Sequence, residues 1–299
     1  MTLRVSLYLS LSLFLVLLSI PFAVFAQGAL EPPAPPAPTM KTLDQVEPRK
    51  PVSEPVFIAE AGSYYLTNDI NGSIIIGADG VTLDLNGFTV TPESAVAIRV
   101  SNRDNVKIFN GTIAGGTGTG IAGSPVGSIS VSDLQLLDIT GECIDLNNPS
   151  GMVTIERIRC HRATRAGIFI RQFFDQPIYA VIRDNVISNV NTTTDVSTYG
   201  IAISHNATGE MNVVVTGNRL LNNRTLGLLV QGPNATANGQ VTGNLATEHG
   251  STAFSVFSDV VFAKNVASGN ATNYNVTSQR AAPISALDEN PGPWDNISE

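Results

Sequence analysis

From Ile74 onward the apolar residues of this chain recur in short alternating groups and not at helical spacing. A Gly or another small residue precedes an apolar-x-apolar triplet that begins at Val96, Ile121, Ile144, Ile168, Ile201, Leu228 and Phe254. The intervals are 25, 23, 24, 33, 27 and 26 residues. A second alternating stretch follows in each unit, as in Val81-Thr-Leu-Asp-Leu, Val106-Lys-Ile, Ile129-Ser-Val, Val153-Thr-Ile and Val213-Val-Val. Alternation with a period of two buries one face of a strand and exposes the other. Behind the second strand an Asn returns at matching phase, at Asn86, Asn110, Asn185, Asn218, Asn244 and Asn265. Asn side chains stacked at a tight bend can hydrogen-bond along a column, and Asn also tolerates a left-handed backbone there. Repeating units of this length, with short strands and no helical period, predict an all-β chain wound as a parallel β-helix, a solenoid of about eight coils.

The ends read differently. Residues 1–26 hold Arg4, an apolar run from Leu7 to Phe25 and the closing Val24-Phe25-Ala26, the layout of a cleavable export signal. An uncleaved membrane anchor is the alternative for a run of that length. Residues 27–55 are a Pro-rich linker containing EPPAPPAP, expected to run extended. Within it Thr39 could cap a short amphipathic turn, Met40 to Glu47, that covers the open N-terminal end of the solenoid. The coils then occupy 56–281, and 282–299 form a C-terminal tail. The expected localisation is secreted, extracellular or periplasmic, with no membrane contact after signal cleavage.

The stretch AGSYYLTNDI followed by GSIIIGADGVTLDLNGFTV, and the ending ENPGPWDNISE with its Pro-Trp-x-Asn, resemble the bacterial secreted right-handed parallel β-helix repeat proteins of the pectate-lyase-like superfamily. The resemblance covers Ser53 to Glu299 and implies a right-handed coil. It specifies the fold and leaves the activity open, because that superfamily includes lyases, hydrolases, epimerases, tail fibres and proteins without an assigned role. Neither the Asp-His and Arg-x-Pro-x-x-Arg signatures of pectate lyases nor the Asn-Thr-Asp and Gly-His-Gly signatures of polygalacturonases occur in the chain. The Asp-Pro-His-Asp motif of alginate epimerases is absent too.

Charge changes the picture in one place. The chain carries a net charge of −8, so generic nucleic-acid binding is not expected. Between residues 157 and 183, however, Arg157, Arg159, Arg162, Arg165, Arg171 and Arg183, with His161, stand against the single acid Asp175. A cationic patch on an acidic protein suits a carboxylate- or sulfate-bearing partner, here an extracellular acidic polysaccharide. The bland alternative is that these arginines pair with Asp145, Glu156 and Asp184 on neighbouring coils. The same window lies in the longest coil, whose additions fall at 173–177 and 191–198.

Phase sorts the candidates. Asp145, Phe169, Ala202 and Leu229 should form one outward column, and Asn147, Arg171, Ser204 and Gln231 the next, with His205 following Ser204 into the turn, so that Asp145, Asn147, Arg171, Ser204 and His205 are expected to share one outer face. A lyase acting on a uronate needs a cation on the carboxylate and a base beside the adjacent proton. Arg171 and Arg165 are candidates for the first role and His205, then His161, for the second, with Asp145 alongside. Arg162, Asn147, Ser204, Phe173 and Tyr199 are candidate substrate-binding groups. Calcium could replace the cation through Asp145, Glu142 or Asn147, but these donors do not form a metal motif, so no metal or cofactor is expected. The two cysteines, Cys143 and Cys160, leave two options in an exported protein, one disulfide or two buried thiols, with the disulfide favoured. Two functions compete, a uronate polysaccharide lyase or epimerase and a non-catalytic carbohydrate-binding or surface-structural β-helix. The oligomeric state is not specified.

Overall fold

The computed structural model describes residues 48–298 apart from 94, 192–196, 233–235, 279 and 287–291. The export signal at 1–26, the amphipathic turn at Met40–Glu47 and most of the 191–198 insertion lie outside the described residues. Strand after strand pairs in parallel with the one a coil later. A ten-stranded sheet running from Val56–Ile58 to Thr272–Val276 forms a first face. A nineteen-stranded sheet supplies two more. The second face carries strands such as Met152–Glu156, Ile178–Arg183 and Glu210–Thr216. Arg159–His161, Val186–Ser188 and Arg219–Leu221 lie on the third. The result is an all-β parallel solenoid.

The triplets fill its interior. Ile98, Ile121, Ile144, Ile168, Ile201, Leu228 and Phe254 align in one fully buried column. The register thus aligns Ile98, not Val96, with Ile121, so the first triplet is read two residues early from sequence. The small residue before each triplet has a steric cause. A Cβ on Gly167 would lie 2.3 Å from Ile187 Cγ2, and one on Gly200 would lie 2.9 Å from Asn223 Nδ2. Cys143 occupies this inward column, and its side chain bonds to Cys160, which stands between Leu136 and Ile187 in the third-face column. A disulfide therefore crosses the core where other coils place a glycine against an aliphatic side chain.

At the bend between the second and third faces, Asn185, Asn218, Asn244, Asn265 and Asn296 stack as a ladder, each 0–1% exposed. Each Oδ1 from Asn218 onward accepts from the backbone N–H and the Nδ2 of the Asn one coil earlier, at 3.1 and 2.9 Å for Asn185 onto Asn218. Asn86 and Asn110 do not belong to this column. They are exposed residues with φ of 51° and 64°, and in the ladder coils the left-handed residue is the one before the Asn, as at Asp184 and Gly217. Tight bend and side-chain ladder are thus adjacent positions with separate duties. The ladder also runs past the last triplet: Asn296–Ser298 pairs with Val266 and Ala267, so the expected tail stacks on the solenoid. At the other end Lys50–Val52 pairs with Tyr64–Leu66, which places a strand inside the expected linker because Val52 can be buried beside Leu66.

A second ladder occupies the bend after the third face. Val190 N–H donates to Asn223 Oδ1 at 3.0 Å, Asn223 N–H to His249 Nδ1 at 3.1 Å, and His249 N–H to Asn270 Oδ1 at 2.7 Å. His249 is 2% exposed, and burial pushes its imidazole down to about 4. Its Nδ1 must stay unprotonated to accept, which puts the proton on Nε2.

Two outcomes follow for stability. Asn218→Ala strips the bonds of two coils at once and should lower the unfolding free energy in denaturant by about 3 kcal/mol, since buried donors are left unpaired. For His249 the folded pKa, about 4, lies below the unfolded 6.5, so the unfolded chain binds the proton more readily between them. Stability should be fully present above pH 6.5 and decline by up to about 3 kcal/mol as pH falls to 4. His249→Asn, which keeps the accepting oxygen, should flatten that part of the stability-pH profile.

Candidate functional site

The arginine window is paired almost throughout. Arg157, Arg162, Arg165, Arg171 and Arg183 meet Asp133, Asp138, Glu142, Asp145 and Glu156 respectively, each an acid about one coil earlier. Among the described residues Asp184 takes no arginine and Arg159 has no acidic partner. Parallel stacking explains the pattern: a coil repeat of about two dozen residues sets the basic window over the acidic stretch that precedes it. Arg157 donates to Asp133 and also contacts Glu156 at 2.8 Å, and its hydrogen bonds hold both carboxyls below their usual range.

The first face carries the densest part of the cluster. The register sets Asp145 beside Phe169, then Ala202 and Leu229, and sets Asn147 beside Arg171, then Ser204 and Gln231. Arg171 Nη2 bonds both oxygens of Asp145 at 2.8 and 3.0 Å, and Asn147 Nδ2 donates to Asp145 Oδ2 at 3.1 Å. The Arg171 guanidinium lies 4.3 Å from the Phe169 ring centre, and that ring stands 5.5 Å from Tyr199 at a tilt of 46°. Arg171 Nε and Asn147 Oδ1 are buried without a hydrogen-bond partner. Glu142, Arg165, Phe169, Ser197 and Tyr199 line a depression of about 260 Å3. Glu142 is nearly buried and accepts from Thr119 Oγ1 at 3.0 Å. Arg165, 59% exposed, reaches it only at 3.5 Å. Arg165 is therefore the loosest of the paired cations.

Other candidates stand elsewhere. His205 follows Ser204 in the strand and so turns inward, 0% exposed; Nε2 donates to Gln176 O at 2.9 Å and Nδ1 accepts from Ala207 N–H at 3.2 Å. It ties the 173–177 insertion to the next coil, together with Asp175, which accepts from Thr208 N–H and Oγ1. That placement differs from the shared outer face expected for it, because alternation puts adjacent residues on opposite faces. His161 lies on the third face with Nδ1 2.8 Å from Ser188 Oγ. Arg162 sits at a bend with Asp138. Ser204 is 3% exposed and bonded to Asn206 and Gln231. Phe173 and Phe174 are exposed in the loop that follows the Arg171 strand. The carboxylates of Asp145 and Glu142 are both engaged, and among the described residues no three Asp, Glu, His or Cys groups converge as a metal site. The lining roles of Glu142 and Phe169 were missed from sequence; phase alone places Phe169 outward, but only the structure shows it against Tyr199.

A three-faced parallel solenoid with a polar and aromatic cluster on its first face is the class of protein these features define. The chain belongs to the right-handed β-helix family: the family profile described as "Right handed beta helix region" matches residues 66–239, more than half of it. No curated protein matches the sequence. Among solved structures the chain is similar to the crystal structure of the Dettilon tailspike protein (gp208), at 12% identity and a TM-score of 0.47. That match covers 84% of this chain and 60% of the tailspike chain.

The two kinds of ion pair should separate in denaturation. Arg171→Ala leaves the largely buried Asp145 uncompensated and should cost about 2 kcal/mol, less than a fully buried pair. Arg162→Ala, at an exposed pair, should leave the unfolding midpoint unchanged.

Proposed function

We propose that this protein is an exported, non-catalytic β-helix that holds an extracellular polysaccharide on its first face. The observation that carries the reading is the depression in which the Phe169–Tyr199 pair is flanked by Glu142 and Arg165. A ring face stacks on the apolar side of a sugar, while a carboxylate and a guanidinium take its hydroxyls. A half-free Arg165 adds a receiver for a uronate carboxylate, so acidic chains are favoured over neutral ones. Export is supported by the signal-like pattern of residues 1–26 and by the Cys143–Cys160 disulfide, which suits an oxidising compartment.

The non-catalytic part rests on the base. Proton abstraction beside a uronate carboxyl requires a basic group within hydrogen-bond reach of the same sugar. His205 is buried with both ring nitrogens engaged, His161 is on the third face, and Arg171 is committed to Asp145. These placements favour holding a chain over cleaving it.

Affinity electrophoresis in gels cast with alginate, pectate, hyaluronan or neutral dextran tests the reading. Retention should be strongest in the acidic gels and weaken with salt. Tyr199→Ala should reduce affinity about tenfold, and Arg165→Ala should remove most of the preference for acidic chains. Equal retention by dextran, no retention in any gel, or unsaturated or epimerised sugars in the incubated polymers would each overturn it.

A further inference from the structure

Ahead of the insertion at 173–177, the bend between the first and second faces is short and closely stacked, and it holds an open recess of about 310 Å3. Four successive coils line it: Asp79 in one, Arg103 and Asp104 in the next, Ser128 in the third and Ser150 in the fourth. Pro125 and Val126 add an apolar side. That volume stands at the lower end of the range for small-molecule sites, about 300–1,000 Å3.

Opposite charges share this recess without meeting. Arg103 is next to Asp104 in sequence and one coil from Asp79, yet among the described residues it forms an ion pair with neither, and its Nε is buried with no hydrogen-bond partner. The carboxylates are held by the backbone instead. Asp79 Oδ1 accepts from the Asp104 N–H at 2.9 Å, and Asp104 Oδ1 accepts from the Asn105 N–H at 2.8 Å and from the Ser128 N–H, one coil later, at 2.7 Å. The Ser128 N–H, with the Ser128 hydroxyl and the Asn105 N–H, holds the Asp104 carboxyl below its usual range, so it is charged at neutral pH. Neither carboxylate can swing to the guanidinium without releasing a backbone N–H. Two glycines keep the floor bare: a Cβ on Gly127 would lie 2.7 Å from Asp104 Oδ1, and one on Gly151 would lie 2.4 Å from Ser128 Oγ.

A buried donor without a partner is destabilising, and a bound group that brings an acceptor to it removes the penalty. The lining decides which group. A simple anion on Arg103 would face two carboxylates, and a simple cation on the carboxylates would face a guanidinium. Only a molecule with both charges on neighbouring atoms suits both. We propose that this recess binds an α-amino acid as its zwitterion, with the α-carboxylate on the Arg103 guanidinium and the α-ammonium on Asp79 and Asp104. The guanidinium offers its planar fork to the carboxylate, and the ammonium has three N–H donors for the aspartate oxygens. An aliphatic side chain lies against Pro125, which is exposed. The three charged contacts come from two adjacent coils and use none of the first-face groups, so the site stands independently of the function proposed above.

The full chain is screened by saturation-transfer NMR against each proteinogenic L-amino acid, and the strongest binder is titrated calorimetrically beside its N-acetyl and its carboxamide derivatives. One molecule should bind per chain. Each derivative has lost one of the two charges and should bind at least about tenfold more weakly. Arg103→Gln should weaken binding by a similar factor with an unchanged melting temperature. So should Asp79→Asn, which keeps the oxygen that accepts from the Asp104 N–H. Arg165→Ala, on the first face, should leave the affinity as it is. No binding by any amino acid, a derivative that binds as tightly as its parent, an affinity unchanged by Arg103→Gln or by Asp79→Asn, or binding lost in Arg165→Ala would each overturn the site.

Discussion

Everything in this molecule depends on one constraint, that the backbone of each coil must find its hydrogen-bond partners in the coils above and below. Along straight strands a parallel ladder meets it automatically. At the bends it does not, because the chain direction changes and buried N–H groups lose their partners. The asparagine column solves the problem with a side chain that copies a peptide group: Oδ1 accepts where a carbonyl would, and Nδ2 passes the pattern on. Where the column begins, the Ile158 N–H donates to Asn185 Oδ1 at 2.9 Å, so the apolar coil beneath is satisfied by the first asparagine above it. His249 performs the same duty in the second ladder only while neutral, which makes its burial and its low pKa one fact.

The same stacking controls the electrostatics. A solenoid folds the chain on itself at a nearly constant interval, so a basic stretch can be cancelled by an acidic one that lies a coil away in sequence. The net charge of residues 157–183 therefore overstates the field they present. What remains after pairing is uneven: Arg171 is held fast and partly buried, Arg165 is loosely held, and Arg159 is unpaired among the described residues. That remainder is split between two faces.

The fold was highly legible because its signals are periodic. The Ile121, Ile144 and Ile168 triplets, the glycines before them and the asparagines from 185 onward each have a physical cause that repeats, so one reading could be checked against the next. Errors arose where the period is interrupted. Val96 and Ile98 both satisfy an alternating pattern, so sequence alone does not separate them, and an Asn suits a left-handed bend as well as a column, so Asn86 and Asn110 look like ladder positions without being so. The site was less legible. Phase correctly grouped Asp145 with Phe169 and Arg171 with Ser204, since side-chain direction follows from alternation. It did not extend to His205, which sits one residue past Ser204 and faces inward; the pairing of the arginines with neighbouring coils was legible as an alternative, and it holds at Asp145 and Glu156 but not at Asp184. Whether a charge is free depends on its neighbour one coil away, and that neighbour is fixed only once the coil length is known to the residue.

A repeating scaffold also limits what kind of ligand can use it. Its coils repeat at a nearly fixed step along the axis while their surface residues differ, and a compact ligand would engage only one or two of them. A polymer with a matching step engages them all, and each weak contact adds to the next without a further entropic cost of capture. On the reading proposed above, affinity would come from the length of chain held along the axis, and specificity from the few positions, such as Arg165, where pairing within the protein is loose.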